Sequence, residues 1–281
     1  MSILSTQEID LKSPCKHHAF TVDVEDWYHG AADLEVRTSS ERRLCYGLGT
    51  LLDLLAEFQV KATFFWLGVA ASENPHLVEQ VAEAGHEIAC HGWVHEPIYD
   101  MSPKRFREET QQAANVISDL AGQPVTAYRA PYFSITRKSL WALEILAELG
   151  FQYDSSIFPI HNWRYGIANF DPMPQQIITS AGSIYEIPLS VRRFLGSNMP
   201  VSGGAYFRLY PYAITRCNFL AAERRNQPVV FYIHPWELDL NHPDVPLTWK
   251  EKLTHSINAR TTEQKLRRVL SEHSFVLCVK F

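Results

Sequence analysis

The chain has 281 residues, 46% hydrophobic and 20% charged, with a formal net charge of -5. That composition is ordinary for a globular protein, the length permits one large α/β domain, and the acidic balance gives no electrostatic reason to expect a nucleic-acid partner. Five cysteines, Cys15, Cys45, Cys90, Cys217 and Cys278, are odd in number, widely spaced and form no CxxC pair, which predicts free, mostly buried thiols and excludes a disulfide scaffold.

In chain order, residues 1–17 are mixed and polar and predict a loose lead-in, with His17 and His18 solvated. They hold no apolar stretch of signal-peptide type, and no run of about 18 apolar residues occurs anywhere, so no transmembrane segment and a cytoplasmic location are expected. HAFTVDVED (18–26) alternates Phe20, Val22 and Val24 and ends in acids, the pattern of a short strand opening to solvent. LGTLLDLLAEFQ (48–59) has helical apolar spacing, and KATFFWLG (61–68) is a β-type run closed by Gly68. Pro75 starts a helix that Gly85 stops, and HEIACH (86–91) follows as a buried strand. Ser102-Pro103 opens a long amphipathic helix closed by Gly122. TAYRAP (126–131) is a short strand broken by proline, TRKSLWALEILAELG (136–150) a helix, and FQYDSS (151–156) the next strand. Such alternation predicts parallel strands covered by helices.

Past residue 157 the pattern loosens. FPIHNWRYGIANFDPMP, rich in Pro, aromatic residues and Asn, predicts a long loop near a site. SIYEIPLS (183–190) and PVVFYIHPWEL (228–238) read as late strands; between them VSGGAYFRLYPYAITR (201–216) sets a Gly pair before an aromatic-rich stretch and a helix. TEQKLRRVLSEH and SFVLCVKF end the chain as helix and strand. The expectation is one domain over residues 18–281, an α/β fold in the form of a closed or nearly closed barrel of about seven strand–helix pairs.

In such sheets functional residues gather at the carboxyl ends of the strands. The first strand ends in Asp23, Glu25 and Asp26. HEIACH ends in His91, with His95 one turn later; TAYRAP carries Arg129, FQYDSS carries Asp154, and VVFYIH ends in His234. Two imidazoles four residues apart can share a cation, and a catalytic metal site needs a third protein ligand and an open position. Asp23 and Glu25 lie two apart and so point to the same side of the strand, which gives one acid for a general base and one for a metal; Asp26 reads equally as solvated. Arg129 beside a carboxylate would hold it ionised. His234 could protonate a leaving group, and Asp154 could orient that histidine or cap the turn at DSS. His86-Glu87 opens an apparent HExxH, but the fifth residue is Cys90. GxSxG, a P-loop and a dinucleotide fingerprint are absent from the sequence.

FTVDVEDW, HEIACHGWVH, YRAPYFSI, YDSSIFP and FYIHPWE, in this order, resemble the motifs of the polysaccharide deacetylases, the NodB-homology enzymes of carbohydrate esterase family 4. The resemblance spans residues 18–240, and SGGAYFRLYPY resembles the C-terminal extension of the branch linked to bacterial exopolysaccharide loci. It implies a distorted barrel holding one divalent metal, usually zinc, that hydrolyses N-acetyl groups from the amino sugars of a glycan. Carried over, Asp23 matches the general base, His91 and His95 the metal-binding histidines, and Arg129 the arginine that orients the base. Tyr132 matches the residue whose backbone N–H helps hold the oxyanion, and His234 the general acid. The family's adjacent aspartates are here D-V-E-D, so the metal carboxylate is Glu25 or Asp26, with Glu25 favoured because it shares a face with Asp23. Gly92 stands where many members have Ser or Thr, and the motif around Asp154 is altered. Two rivals remain: a C–N hydrolase of the same fold acting on a cyclic imide, ureide or formamide, and a carbohydrate-binding protein with a dead site.

Overall fold

A computed structural model describes residues 5–8, 17–29, 41–201, 203–241, 243 and 258–280. The strands in chain order are β1 (Ser5–Glu8), β2 (His18–Val24), β3 (Thr63–Trp66), β4 (Glu87–Cys90), β5 (Ala127–Tyr128), β6 (Tyr153–Asp154), β7 (Gln175–Thr179), β8 (Gly182–Glu186), β9 (Val191–Phe194), β10 (Ser197–Pro200), β11 (Val230–Ile233) and β12 (Phe275–Val276). All but the β9–β10 hairpin form one sheet in the order β1-β7-β8-β6-β5-β4-β3-β2-β11, with β12 also on β2. From β8 through β6, β5, β4, β3 and β2 to β11 the neighbours run parallel, which matches the expected seven-strand distorted barrel. Every residue of β2 and β3 is buried, as strands covered on both faces require.

Helices cover this sheet. The first, α1 (Leu44–Glu57), buries Leu44, Leu48, Leu51, Leu52 and Leu55, a stripe at helical spacing. Short α2 (Gly68–Glu73) and α3 (Pro75–Glu83) follow β3, and Pro75 occupies the first turn, where its missing N–H has no helical partner to lose. In α4 (Pro103–Ala121) the Ser102 hydroxyl accepts the Arg105 N–H, and Gly122 ends the helix at φ 65. Phe106, Thr110, Ala113 and Ile117 form its buried face. The predicted helix over 136–150 begins at Trp141 as α5 (Trp141–Glu148); before it, the Ser139 hydroxyl accepts the Thr136 N–H and donates to the Ser134 carbonyl, closing a turn instead. The later helices are α6 (Gly204–Leu209), α7 (Tyr212–Glu223) and α8 (Thr262–Glu272).

Among the described residues, strand pairing does not close the barrel between β8 and β11. The Ser190 side chain spans that seam, accepting the Val230 N–H at 2.8 Å and reaching the Pro228 carbonyl at 3.4 Å. The Gly pair of VSGGAYF lies against β11. Gly203 sits at φ 141, where a Cβ would lie 1.9 Å from the Tyr232 carbonyl oxygen, so this approach admits only glycine.

Three expectations are corrected. Ser5–Glu8 of the lead-in is an edge strand, antiparallel to β7. His17 is exposed, but His18 is fully buried at the start of β2. Among the described cysteines Cys90 and Cys278 are buried whereas Cys45 and Cys217 are exposed; Cys15 lies outside the described residues.

Candidate active site

The parallel register brings the ends of β2, β4, β5 and β11 to one rim, and Asp23 and Arg129 meet there. Arg129 follows β5 and is fully buried. Its Nη1 donates to Asp23 Oδ1 at 2.8 Å and to the Thr21 hydroxyl at 2.8 Å, its Nη2 to the Ser155 hydroxyl at 2.9 Å, and its Nε to the Ser155 carbonyl at 3.0 Å. The Phe65 ring lies 4.2 Å from the guanidinium carbon. The planar fork is thus held at every edge, which a lysine could not reproduce. Burial acts to raise the Asp23 carboxyl, but the Arg129 charge and hydrogen bond, with His91 and His234, hold it below the usual carboxylate range.

His91 extends the β4 ladder through its N–H to the Trp66 carbonyl at 2.7 Å. Its Nδ1 lies 2.7 Å from the Arg129 carbonyl oxygen, which can only accept, so Nδ1 carries the proton and Nε2 the lone pair. His95 stands beyond a turn that Gly92 makes at φ 85, its ring 5.6 Å from that of His91. His95 Nε2 lies 3.0 Å from Glu25 Oε2. Among the described residues that buried oxygen accepts no hydrogen bond and His95 Nδ1 has no hydrogen-bond partner. Burial pulls His91 to about 4 and His95 well below its usual value, so both imidazoles are neutral. The same burial pushes Glu25 up to about 7.

Two neutral imidazoles and a carboxylate fit a divalent cation in kind, and the orphaned Glu25 oxygen is what such an ion would satisfy. The ligand atoms of Glu25, His91 and His95 do not, however, all lie within 4.8 Å of one another; among the described residues the trio that does is His18, Glu223 and His273. That trio sits at the opposite end of β2. His18 Nδ1 accepts the Val229 N–H at 3.1 Å, so its Nε2 carries the proton and donates to Glu223 Oε1 at 3.2 Å; His273 Nδ1 meets the same oxygen at 2.9 Å. With both rings donating to one carboxylate, the trio is a hydrogen-bonded tie between β2, α7 and the tail.

Asp26 is placed elsewhere than expected. Its Oδ1 accepts the Trp27 N–H at 2.9 Å, and its Oδ2 accepts the N–H groups of Arg43 and Leu44 at 2.7 and 3.0 Å. It closes the open N-terminus of α1, where unpaired N–H groups attract a carboxylate, and Glu25 alone of the two candidates faces the histidines. For Asp154 the structure favours the turn at DSS over a partnership with His234. Its Oδ1 accepts from the Ser156 hydroxyl at 2.5 Å, and that hydroxyl accepts the Ala130 N–H at 2.7 Å. Asp154 therefore steadies the segment after Arg129 and does not orient His234. Its buried neighbour Glu186, whose Oε1 accepts the Ile157 N–H at 3.0 Å, is pushed well up by burial and the Asp154 charge.

The partner of His234 is Glu237, which the sequence reading missed. Glu237 Oε1 lies 2.7 Å from His234 Nδ1 and accepts the His234 backbone N–H at 3.0 Å; its other oxygen pairs with buried Arg208. His234 Nε2 faces Glu25 Oε1 at 3.5 Å. Burial acts to lower His234, but the Glu237 hydrogen bond and the charges of Glu25 and Glu237 raise it to about 9. Trp236 stacks on the imidazole at 5.2 Å and donates its Nε1–H to Glu25 Oε1 at 3.4 Å. The available signal was the three-residue spacing in HPWE with Pro235 opening the turn.

Tyr132 and Phe133 both take positive φ, 56° and 52°, a region that side chains enter at a cost. The turn is held by the Ser134 hydroxyl, which donates to the Pro131 carbonyl at 2.5 Å and accepts the Ile98 N–H at 2.9 Å. It sets the Tyr132 ring 4.1 Å from that of His95.

A family model described as "Polysaccharide deacetylase" matches residues 48–153, and one described as "Domain of unknown function (DUF3473)" matches residues 155–281. A peptidoglycan-N-acetylglucosamine deacetylase from Bacillus cereus is 34% identical over 95 residues, 34% of this chain and 34% of the relative. The chain spans well under half the length of the curated relatives it matches. Two crystal structures share the fold. A candidate polysaccharide deacetylase from Mycobacterium smegmatis superposes with a TM-score of 0.65 at 21% identity, covering 97% of this chain and 91% of that one. A second, named a probable polysaccharide deacetylase, from Pseudomonas aeruginosa PAO1, gives 0.58 at 16% identity over 92% and 86%.

Proposed function

The chain carries a polysaccharide deacetylase domain of the NodB-homology type, and on that premise we propose that it is a metal-dependent hydrolase removing N-acetyl groups from the amino sugars of a glycan. One observation carries this reading: Arg129-held Asp23, the Glu25–His95 pair and Glu237-held His234 meet in one buried rim. Glu25, His91 and His95 would hold the cation, zinc by the chemistry of the donors, and when bound it supplies a Lewis acid that polarises a carbonyl and eases deprotonation of water.

The chain's own residues do the rest. Asp23, kept ionised by Arg129, accepts a proton from the attacking water. Oxygen adds to the acetamide carbonyl, and the Tyr132 backbone N–H donates to the oxyanion that develops there. His234, charged below about pH 9, gives its Nε2 proton to the amide nitrogen as the C–N bond breaks. Glu237 anchors Nδ1 throughout and so aims Nε2 into the site. Water and the amide become acetate and a free amino sugar. The resemblance of SGGAYFRLYPY to an exopolysaccharide-linked extension supports a role in making an exported polysaccharide.

One observation favours a second reading. The three ligand atoms stand wider apart than a tight coordination shell, as a glycan-binding protein without turnover would allow. Acetate release from N-acetylated oligosaccharides separates the two: the deacetylase releases acetate and stops on chelation, and the binding protein releases none with any divalent metal added.

A further inference from the structure

The loop after β6 is built to carry a side chain over this rim. Its base is fixed. Gly166, at φ 97, packs so closely that a Cβ would lie 2.4 Å from the Ile160 carbonyl oxygen. The Tyr165 ring stacks on Phe158 at 5.9 Å while its hydroxyl meets that of Tyr206 at 3.0 Å, and Asn198 donates to the Pro159 carbonyl at 2.7 Å. At the tip the Asn162 side chain accepts the Arg164 N–H at 2.9 Å, a local turn that presents Trp163 and Arg164 together.

Arg164 lies flat against the site. Its guanidinium carbon is 3.8 Å from the Tyr132 ring centroid, and that ring packs on His95. Its polar neighbour is the Tyr99 hydroxyl, and no carboxylate pairs with it among the described residues. A guanidinium stacked through its face keeps edge N–H donors beyond the one that meets Tyr99, and such donors match an oxyanion two at a time. Trp163 beside it is 90% exposed. A single exposed Trp means little by itself, but this one adjoins a cation already fixed over the rim, and a flat apolar ring suits the C–H face of a pyranose.

We propose that Arg164 and Trp163 form a subsite that selects a glycan in which an anionic sugar neighbours the N-acetylated one, with Arg164 binding the anion and Trp163 stacking on the ring. The inference rests on the deacetylase reading for its substrate class. The anion is a carboxylate or a phosphate, and the test carries an arm for each.

Three matched N-acetylhexosamine oligomers serve as probes: neutral, oxidised to the uronic acid on the neighbouring sugar, and phosphorylated there. Wild type should favour at least one anionic oligomer over the neutral one by about tenfold in kcat/KM, carried mainly by KM. Arg164→Ala should bring that ratio to near one, and Arg164→Lys should keep part of it. A wild-type ratio near one for both anionic arms, or an equal loss on all three oligomers in Arg164→Ala, overturns the subsite. If wild type turns over none of them, the deacetylase reading fails, and equilibrium binding decides the subsite separately. Anionic oligomers bound by wild type and lost in Arg164→Ala support it; equal binding by both proteins overturns it.

Discussion

Glu237 holds His234 twice through one oxygen, accepting from the ring at 2.7 Å and from the backbone N–H at 3.0 Å, while Arg208 secures the other oxygen. A charged imidazole is favoured by that carboxylate, so the histidine stays protonated to about pH 9. A general acid works only while it carries its proton, so activity should fall as pH rises through that value.

Glu237→Gln should therefore move the alkaline limb of the kcat/KM profile to lower pH and reduce kcat by about 10- to 100-fold, by analogy with other groups that orient a catalytic histidine. The pH profile is the deciding readout. A variant with lowered activity but an unmoved alkaline limb would show that Glu237 acts on packing alone.

Arg129 neutralises Asp23 where both are buried, so removing either one leaves the other a buried, unpaired charge. Arg129→Ala should cost about 3–5 kcal/mol in denaturant unfolding, because it leaves a buried charge unpaired. Arg129→Lys should fold but lose at least about 10²-fold in kcat/KM, with its acid limb raised, since Asp23 loses the bond that keeps it ionised. Retained wild-type kinetics in the lysine variant would show that charge alone suffices.

Adjacent acids have separate work. Asp26→Ala should lower stability by about 1–2 kcal/mol, through loss of acceptors at the start of α1, and leave metal content intact. Glu25→Ala should lose the metal. Measuring both properties on both variants tests the division, and metal loss in the Asp26 variant with retention in the Glu25 variant would reverse it.

His18 and His86 each accept a backbone N–H through Nδ1, from Val229 and Ala62, which only a neutral ring can do. Burial lowers both to about 4. Between pH 4 and the unfolded value near 6.5 the unfolded chain binds more protons, so stability rises with pH across that window and is lost on acidification. Each ring contributes at most about 3 kcal/mol to the change. The change in denaturant midpoint from pH 5 to pH 7 should be smaller in His86→Asn than in wild type, and an equal change in both would contradict it.

What the sequence revealed follows physical reach. The helix stops at Gly85 and Gly122 and the strand ends bearing Asp23, His91, Arg129 and His234 are local patterns, and all were legible. Asp26 was not, because its partners Arg43 and Leu44 lie in another segment and a carboxylate next to Glu25 looks interchangeable with it. Glu237 was passed over because HPWE reads as the end of a strand, whereas Pro235 turns the chain and folds the glutamate back on the histidine. Ser5–Glu8 pairs with distant β7 along a sheet edge, and four polar residues carry no periodicity to announce it.

On the proposed mechanism Glu25, His91 and His95 would hold one catalytic cation, with Asp23 as base and His234 as acid. Metal content and acetate release should be measured together on wild type, Glu25→Ala and His95→Ala, before and after chelation and after restoring zinc. Wild type alone should hold one ion and release acetate, an activity abolished by chelation and restored by metal. Acetate release that survives chelation and both substitutions would contradict it.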